Sequence, residues 1–260
     1  MSGLQIDITD KRFDEQHPVL EHLHLDVSPG EFLAIVGPSG AGKTTLLSLI
    51  AGLDQAFSGT LNWNRQPLHA AGTSPLKLGI LFQEPRLMPW LSVLDNVRLV
   101  LKQASDARDR ARQLLTRVGL GDWLDAWPGQ LSGGMQRRVA LARAFAVQPQ
   151  LLLMDEPFVS LDMPTGNQLR SQTLELWQRE RPLVIYVTHD LREALAMADR
   201  VVFLSTRPAQ VLLDVRVELP RPRRLEGSQV AALQTQLLSA HPDLLAGRLG
   251  GNSPRTGEDA

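Results

Sequence analysis

Cysteine is missing altogether from the 260 residues. Its absence excludes a disulfide framework, a thiolate metal site and a thiol nucleophile, and fits a reducing compartment. Also lacking is any apolar run near the ~18 residues of a membrane span, so work at a membrane has to go through partners. The opening residues, Met1 to Asp7, show none of the basic-then-apolar pattern of a secretory signal, and a cytosolic chain is expected. Neither sign of charge is in excess: the formal net charge is −1, which removes the global electrostatic case for a nucleic-acid partner. No self-similarity recurs at solenoid periods. What is present, 43% hydrophobic and 21% charged residues, suits a globular chain with one large core or two unequal lobes.

The most specific stretch is Gly37-Pro38-Ser39-Gly40-Ala41-Gly42-Lys43-Thr44, which fits the phosphate-binding pattern G-x-x-x-x-G-K-[ST] without a departure. Its context fits as well. Glu31 to Val36 reads as a buried strand, and Thr45 to Ala51 reads as a helix ended by Gly52. Strand, glycine loop and helix is the order the chemistry needs. Glycines let backbone N–H groups turn inward around phosphate oxygens, and the helix N-terminus adds partial positive charge. In that pattern Lys43 reaches the β- and γ-phosphates and Thr44 sets its hydroxyl on Mg²⁺.

Upstream, Leu4, Ile6 and Ile8, then Leu23, Leu25 and Val27, alternate with polar residues and predict antiparallel strands with one buried face. Phe13 sits in the polar stretch Asp10 to Glu15, as a hairpin core residue or as an exposed ring for a base. His17, His22 and His24 read as solvated rather than as a metal set. Leu78 to Phe82 reads as a buried strand ending in Gln83, either a ligand contact or an ordinary polar strand end. The segment Glu84 to Leu91 holds two prolines and Trp90. It is a docking surface or a loop folded onto its own core. Residues 93 to 118 predict two helices broken near Ser105, their Arg and Asp residues on a solvated face.

Ser132-Gly133-Gly134 then opens a long helix, as a second anion site or as simple capping. Leu151 to Met154 is an apolar run closed by Asp155 and Glu156. Asp155 suits Mg²⁺, and Glu156 is set to take a proton from an attacking water. Ser160-Leu161-Asp162 before Pro164 is a helix start. Leu183 to Val187 is a buried strand leading to His189, which can bond a phosphate oxygen or an activated water. Strands over Val201 to Ser205 and Val211 to Val217, a basic stretch and a helix from Ser228 to Ala240 complete the ordered chain.

These motifs in this order resemble the ATP-binding cassette (ABC) ATPases over about residues 4 to 218. Gly37 to Thr44 looks like their Walker A motif and Gln83 like their Q-loop glutamine. Leu131 to Met135 resembles the signature LSGGQ with Met135 in the final place. Leu151 to Glu156 is similar to Walker B, Ser160 to Asp162 to the D-loop, and His189 to the switch histidine. Phe13 falls near where the family stacks an aromatic on adenine, so the resemblance favours the base-stacking reading. It implies a RecA-like P-loop α/β core with an antiparallel β subdomain and an inserted helical subdomain over about 87–148. That ATPase domain spans 1–220, followed by a short helical extension over 221–246 and a disordered tail over 247–260.

The resemblance also implies catalytic Glu156, His189 and Gln83, and a Mg²⁺ held at Thr44, Gln83 and Asp155. ATP would be held by Phe13, by Gly37, Pro38, Ser39, Gly40, Ala41, Gly42, Lys43, Thr44 and Thr45, and by Ser132, Gly133 and Gly134 of a second copy in a head-to-tail homodimer. The Pro89-Trp90 after Gln83, with Arg207-Pro208 and Arg221-Pro222-Arg223-Arg224, looks like the nitrate/sulfonate/taurine branch of bacterial importers. That branch implies integral-membrane permease subunits as partners, a periplasmic binding protein indirectly, no nucleic acid, and a place at the cytoplasmic face of the inner membrane. The competing reading is a soluble, non-transport ABC ATPase acting on ribosomes or DNA. Those usually carry two cassettes or long coiled-coil insertions, and neither is seen. A kinase or GTPase leaves Ser132-Gly133-Gly134 unexplained, and no N/T-K-x-D guanine-reading motif is found.

Overall fold

The computed structural model describes residues 3–69, 76–101 and 105–249. In chain order its strands are β1 (Leu4–Arg12), β2 (Pro18–Val27), β3 (Phe32–Val36), β4 (Ser58–Trp63), β5 (Gln66–Pro67), β6 (Leu78–Leu81), β7 (Leu151–Asp155), β8 (Leu183–Thr188), β9 (Arg200–Leu204) and β10 (Val211–Arg216). Its helices are α1 (Lys43–Ile50), α2 (Val93–Arg98), α3 (Ala107–Arg117), α4 (Gly133–Ala146), α5 (Met163–Glu180), α6 (Leu191–Met197) and α7 (Ser228–Ala240).

The alternating segments form one sheet and the continuous apolar runs the other. β1 and β2 pair antiparallel, with Leu4 opposite Val27 and Ile6 opposite Leu25, in a sheet ordered β2-β1-β4-β5. The second sheet is ordered β10-β9-β3-β8-β7-β6, parallel except for β10 at its edge. Strands covered on both faces lose the polar alternation, which is why these read as unbroken apolar runs. The pleat divides them between two cores: Leu33, Ile35, Leu151, Leu153 and Ile185 face α1 and the antiparallel sheet. Phe32, Ala34, Leu152, Met154 and Tyr186 face the other helices.

The first of the two predicted helices ends earlier than the Ser105 break. α2 stops at Arg98 and a 3₁₀ turn over Leu99–Leu101 follows, while Gly119 (φ +73°) closes α3 one residue past Val118. Trp90 is 67% exposed, so the segment after Gln83 does not fold its Trp into the core. Its backbone is instead held from beneath. The fully buried Asn96 accepts from the Met88 amide (2.8 Å) and donates to the carbonyls of Met88, Leu91 and Ser92. The extension is stitched on by Arg223, whose guanidinium reaches the carbonyls of Leu195, Ala198, Val217 and Leu219. Its burial lowers its pKa to about 10. α7 then packs on α6. The loop expected over His69 to Pro75 lies outside the described residues from 70 on, and the tail expected over 247–260 from 250 on. Among the described residues no helix is long and apolar enough to cross a membrane.

Candidate functional site

Parallel register brings the chemistry to one edge. Val36 pairs with Thr188 and Phe203, Asp155 with Val187, and Leu81 with Met154. The chain therefore leaves β3 into Gly37, β6 toward Gln83, β7 into Glu156 and β8 into His189, all at the C-terminal ends of the strands. Open α/β sheets bind ligands at that edge.

The loop after β3 needs its glycines for two separate reasons. Gly40 and Gly42 have φ of +77° and +96°. A Cβ on Gly42 would also come within 2.8 Å of Leu20 and 2.9 Å of Val19, where β2 crosses the loop. Gly42 caps α1 with no side-chain bond, which leaves first-turn amides for an anion. Gly37 is buried, Pro38 and Thr45 are half-buried, and Ser39, Gly40 and Thr44 are exposed. Lys43 lies across the loop, donating from Nζ to Gly37 O (2.9 Å) and Pro38 O (3.0 Å), with Glu156 Oε1 at 3.8 Å. Burial lowers its pKa, against the pull of Glu156 and Asp155.

Thr44 Oγ1 donates to Asp155 Oδ1 at 3.3 Å. Burial raises the Asp155 pKa, while the Thr44 bond, Lys43 and Arg86 hold it down. A hydroxyl and a half-buried carboxylate side by side are hard oxygen donors of the kind Mg²⁺ takes. Glu156 follows with φ +43°, a conformation that costs a residue with a side chain roughly 1–2 kcal/mol. Its amide is tied to Val187 O at 3.1 Å. That turn separates it from Asp155 and puts Oε2 at 3.0 Å from His189 Nδ1, with Oε1 toward Lys43. The Glu156 carboxylate thus bridges the loop lysine and the histidine.

Three predicted groups stand apart from this cluster. Gln83 is exposed in a bend past β6 and makes no hydrogen bond to Thr44 or Asp155. Phe13 is 68% exposed on the β1–β2 hairpin, its ring 4.5 Å from Lys11 Nζ, so it is not a core residue. Ser132 caps α4, accepting from the Met135 amide at 3.3 Å, and no hydrogen bond or ion pair among the described residues joins Ser132, Gly133 or Gly134 to the phosphate loop. Met135 packs on the helical core. His17 and His24 are exposed beside Asp14 and Asp26, and His22 is exposed.

Other contacts carry no sequence signal. Arg207 donates to Gly40 O (2.6 Å) from the far side of the chain. Arg143 on α4 grips the carbonyls of Pro85 and Arg86, both at 2.8 Å, just past Gln83. Arg86 in turn faces the Phe82 ring at 3.9 Å. Arg86 and Arg143 are ordinary arginines until the fold sets them there, and the Arg207-Pro208 pair gives no hint of its contact with Gly40.

The sequence pattern of the ABC transporter family matches residues 20–159. An aliphatic sulfonates import ATP-binding protein of Pseudomonas fluorescens is 46% identical over 226 residues, covering 85% of this chain and 80% of that one. Its counterpart in Yersinia pestis is 43% identical over 236 residues, with coverages of 90% and 84%. Among solved structures, a dimeric ATP-binding cassette in a post-hydrolysis state bound to ADP and Pi superposes with a TM-score of 0.70 at 28% identity. That match spans 85% of this chain and all of the other. A pattern matching more than half of the chain, and relatives above 40% identity along most of it, show that it belongs to the ABC transporter family, as an ATP-binding and ATP-hydrolysing subunit.

Proposed function

We propose that this chain drives a bacterial importer of aliphatic sulfonates or closely related small oxyanions, as a homodimer on the cytoplasmic face of the inner membrane. The cargo class is that of the sulfonate-importer relatives. The hydrolytic role rests on one observation: Glu156 stands between Lys43 and His189 at the edge that carries the phosphate loop. In this reading Lys43 leaves the carbonyls of Gly37 and Pro38 for the β- and γ-phosphates, and the loop amides from Ser39 to Thr45 take the remaining oxygens. Thr44 and Asp155, with Gln83, hold Mg²⁺. When bound, that ion neutralises charge on the β- and γ-phosphate oxygens. Glu156 accepts the proton of the attacking water, and His189 orients Glu156 and the γ-phosphate. Phe13 stacks on the adenine, its exposure leaving a face free.

The signature residues Ser132, Gly133 and Gly134 serve the nucleotide of a second copy, a reading supported by the lack, among the described residues, of any hydrogen bond from them to this chain's own phosphate loop. ATP then completes the dimer and loss of the γ-phosphate opens it. Residues 1–220 act as the ATPase domain, with 87–148 as its helical part and 221–246 as an extension. Leu87 to Leu91, held by Asn96 and Arg143 with Trp90 outward, receives the permease, and a periplasmic binding protein delivers cargo on the other side.

Three measurements test this. Glu156→Gln should cut ATP hydrolysis by ~10²-fold or more and should shift light scattering from monomer to dimer in excess ATP. Unchanged turnover removes Glu156 from its role, and a persistent monomer removes the switch for the isolated chain. The tagged chain should bring down a multi-span membrane protein from detergent extracts in equal amount, and recovery with ribosomes or nucleic acid alone would sink the importer reading.

A further inference from the structure

Beneath the Glu156–His189 pair lies a second carboxylate. Glu193, on α6, is only 5% exposed, and it is surrounded by donors. Its Oε2 accepts from the Tyr186 hydroxyl and from Thr188 Oγ1 (3.3 Å), both residues fully buried on β8. Its Oε1 accepts from Arg170 Nη1 of α5 at 2.6 Å. Burial raises its pKa, and Tyr186 and Arg170 oppose the rise. The Tyr186 hydroxyl is pushed well above its usual value, first by its own burial, and stays a donor.

This cluster holds chain neighbours of both members of the pair. His189 lies between Thr188 and Asp190, and both neighbours are tied down. Thr188 Oγ1 donates to Glu193 while accepting from the Asp190 amide at 3.0 Å. The Glu193 amide returns to Asp190 Oδ1 at 3.2 Å, which caps α6. On the other arm, Phe158 follows Glu156 by two residues. Its ring meets Tyr186 edge-on at 5.8 Å and lies 5.6 Å from the Arg170 guanidinium. The same carboxylate therefore anchors the strand end that aims His189 and the packing that fixes the turn carrying Glu156.

A buried ion pair is a poor device for stability alone, because apolar groups of the same volume do as well or better. A charge that organises three donors from two elements does something apolar packing cannot: it sets direction. We propose that Glu193 is a positioning residue for hydrolysis, acting through Arg170, Tyr186 and Thr188 to hold His189 and Glu156 in register. The inference rests on the roles given above to those two residues. Glu193→Gln keeps the volume but replaces one of the two acceptor oxygens by an N–H donor, so either Arg170 or the Tyr186 and Thr188 hydroxyls lose their acceptor and the cluster must rearrange.

The test is steady-state and single-turnover hydrolysis by the full chain with ATP and Mg²⁺. In Glu193→Gln, kcat should fall ~10-fold or more, the scale of a sub-ångström misplacement, while KM for ATP stays within ~2-fold. In a His189→Ala background the same substitution should cost measurably less than it does alone, because one of the two residues it acts through is gone. A folded Glu193→Gln enzyme with wild-type kcat overturns the proposal, as does a loss that multiplies in full with His189→Ala. Should Glu193→Gln lack a cooperative melt, Tyr186→Phe decides, since it removes one donor and keeps the ring. It should lower kcat several-fold at constant KM, and a wild-type kcat overturns the proposal there too. Failure of the underlying site reading looks different: Glu156→Gln would then retain hydrolysis, whatever Glu193→Gln does.

Discussion

Two glycines separate what the fold needs from what the reaction needs. A Cβ added to Gly133 meets nothing within 4 Å, and its φ lies outside the left-handed region. A Cβ added to Gly79 would lie 2.5 Å from the Ala144 carbonyl oxygen and 3.1 Å from Leu152 Cδ1. That oxygen belongs to the backbone of α4, which packs on β6 and cannot swing away. Gly79→Ala should therefore cost about 1–3 kcal/mol of overpacking, or about 2–10 °C in Tm at this chain length. Hydrolysis per folded molecule should not change. Gly133→Ala should be neutral or stabilising by up to about 1 kcal/mol, from helix propensity alone. Its hydrolysis should fall at least ~10-fold, because in the proposed dimer the new methyl would stand where the partner's nucleotide approaches. Urea denaturation and a phosphate-release assay on the same preparations read both quantities. A Gly133→Ala protein as unstable as Gly79→Ala would mean the space is not open. One that hydrolyses ATP at the wild-type rate would mean that space is not reserved for a ligand. Gly134 mixes both reasons, since its Cβ would meet Thr165 Cγ2 at 2.4 Å, and is the less informative position.

Arg143→Ala should cost about 1.5–3 kcal/mol by freeing the Pro85 and Arg86 carbonyls; amide hydrogen exchange over Leu87 to Leu91 should quicken, and unchanged exchange would show that Asn96 holds the loop alone. Trp90→Ala should abolish co-purification of the permease with Tm moved by about a degree at most, as for an exposed side chain; retained assembly would move the docking surface elsewhere. Asp54 pairs with the 2%-exposed Lys11 at 2.6 Å, and its pKa is lowered from 3.8, first by the Lys11 bond. A depressed carboxylate stabilises above its unfolded value and loses that contribution as pH falls through the folded one. Asp54→Asn should thus melt below wild type at pH 7, with the gap closing only below pH 3.8; a gap already closed at pH 5 would contradict the pairing.

Local pattern carried much of this protein. A glycine loop between an apolar run and a helix, two acids closing an apolar strand, and a period of two before Val27 identify a phosphate-binding α/β chain. They do so because backbone sterics and burial act within a few residues. The α7 boundaries were legible for the same reason. Tertiary structure decided the rest. Whether Phe13 sits in the core or in solvent, and whether Trp90 folds inward, depends on surfaces supplied by distant segments. Arg143 and Glu193 look unremarkable in sequence, and the contact Arg207 makes is not legible there either, since a guanidinium reaching a carbonyl 167 positions away leaves no local trace. The Glu156–His189 bridge joins residues 33 positions apart, and only the parallel register of β7 and β8 brings them within hydrogen-bond reach. Local sequence dictates conformation where neighbours along the chain supply the forces; position in space follows from packing that the whole chain makes at once.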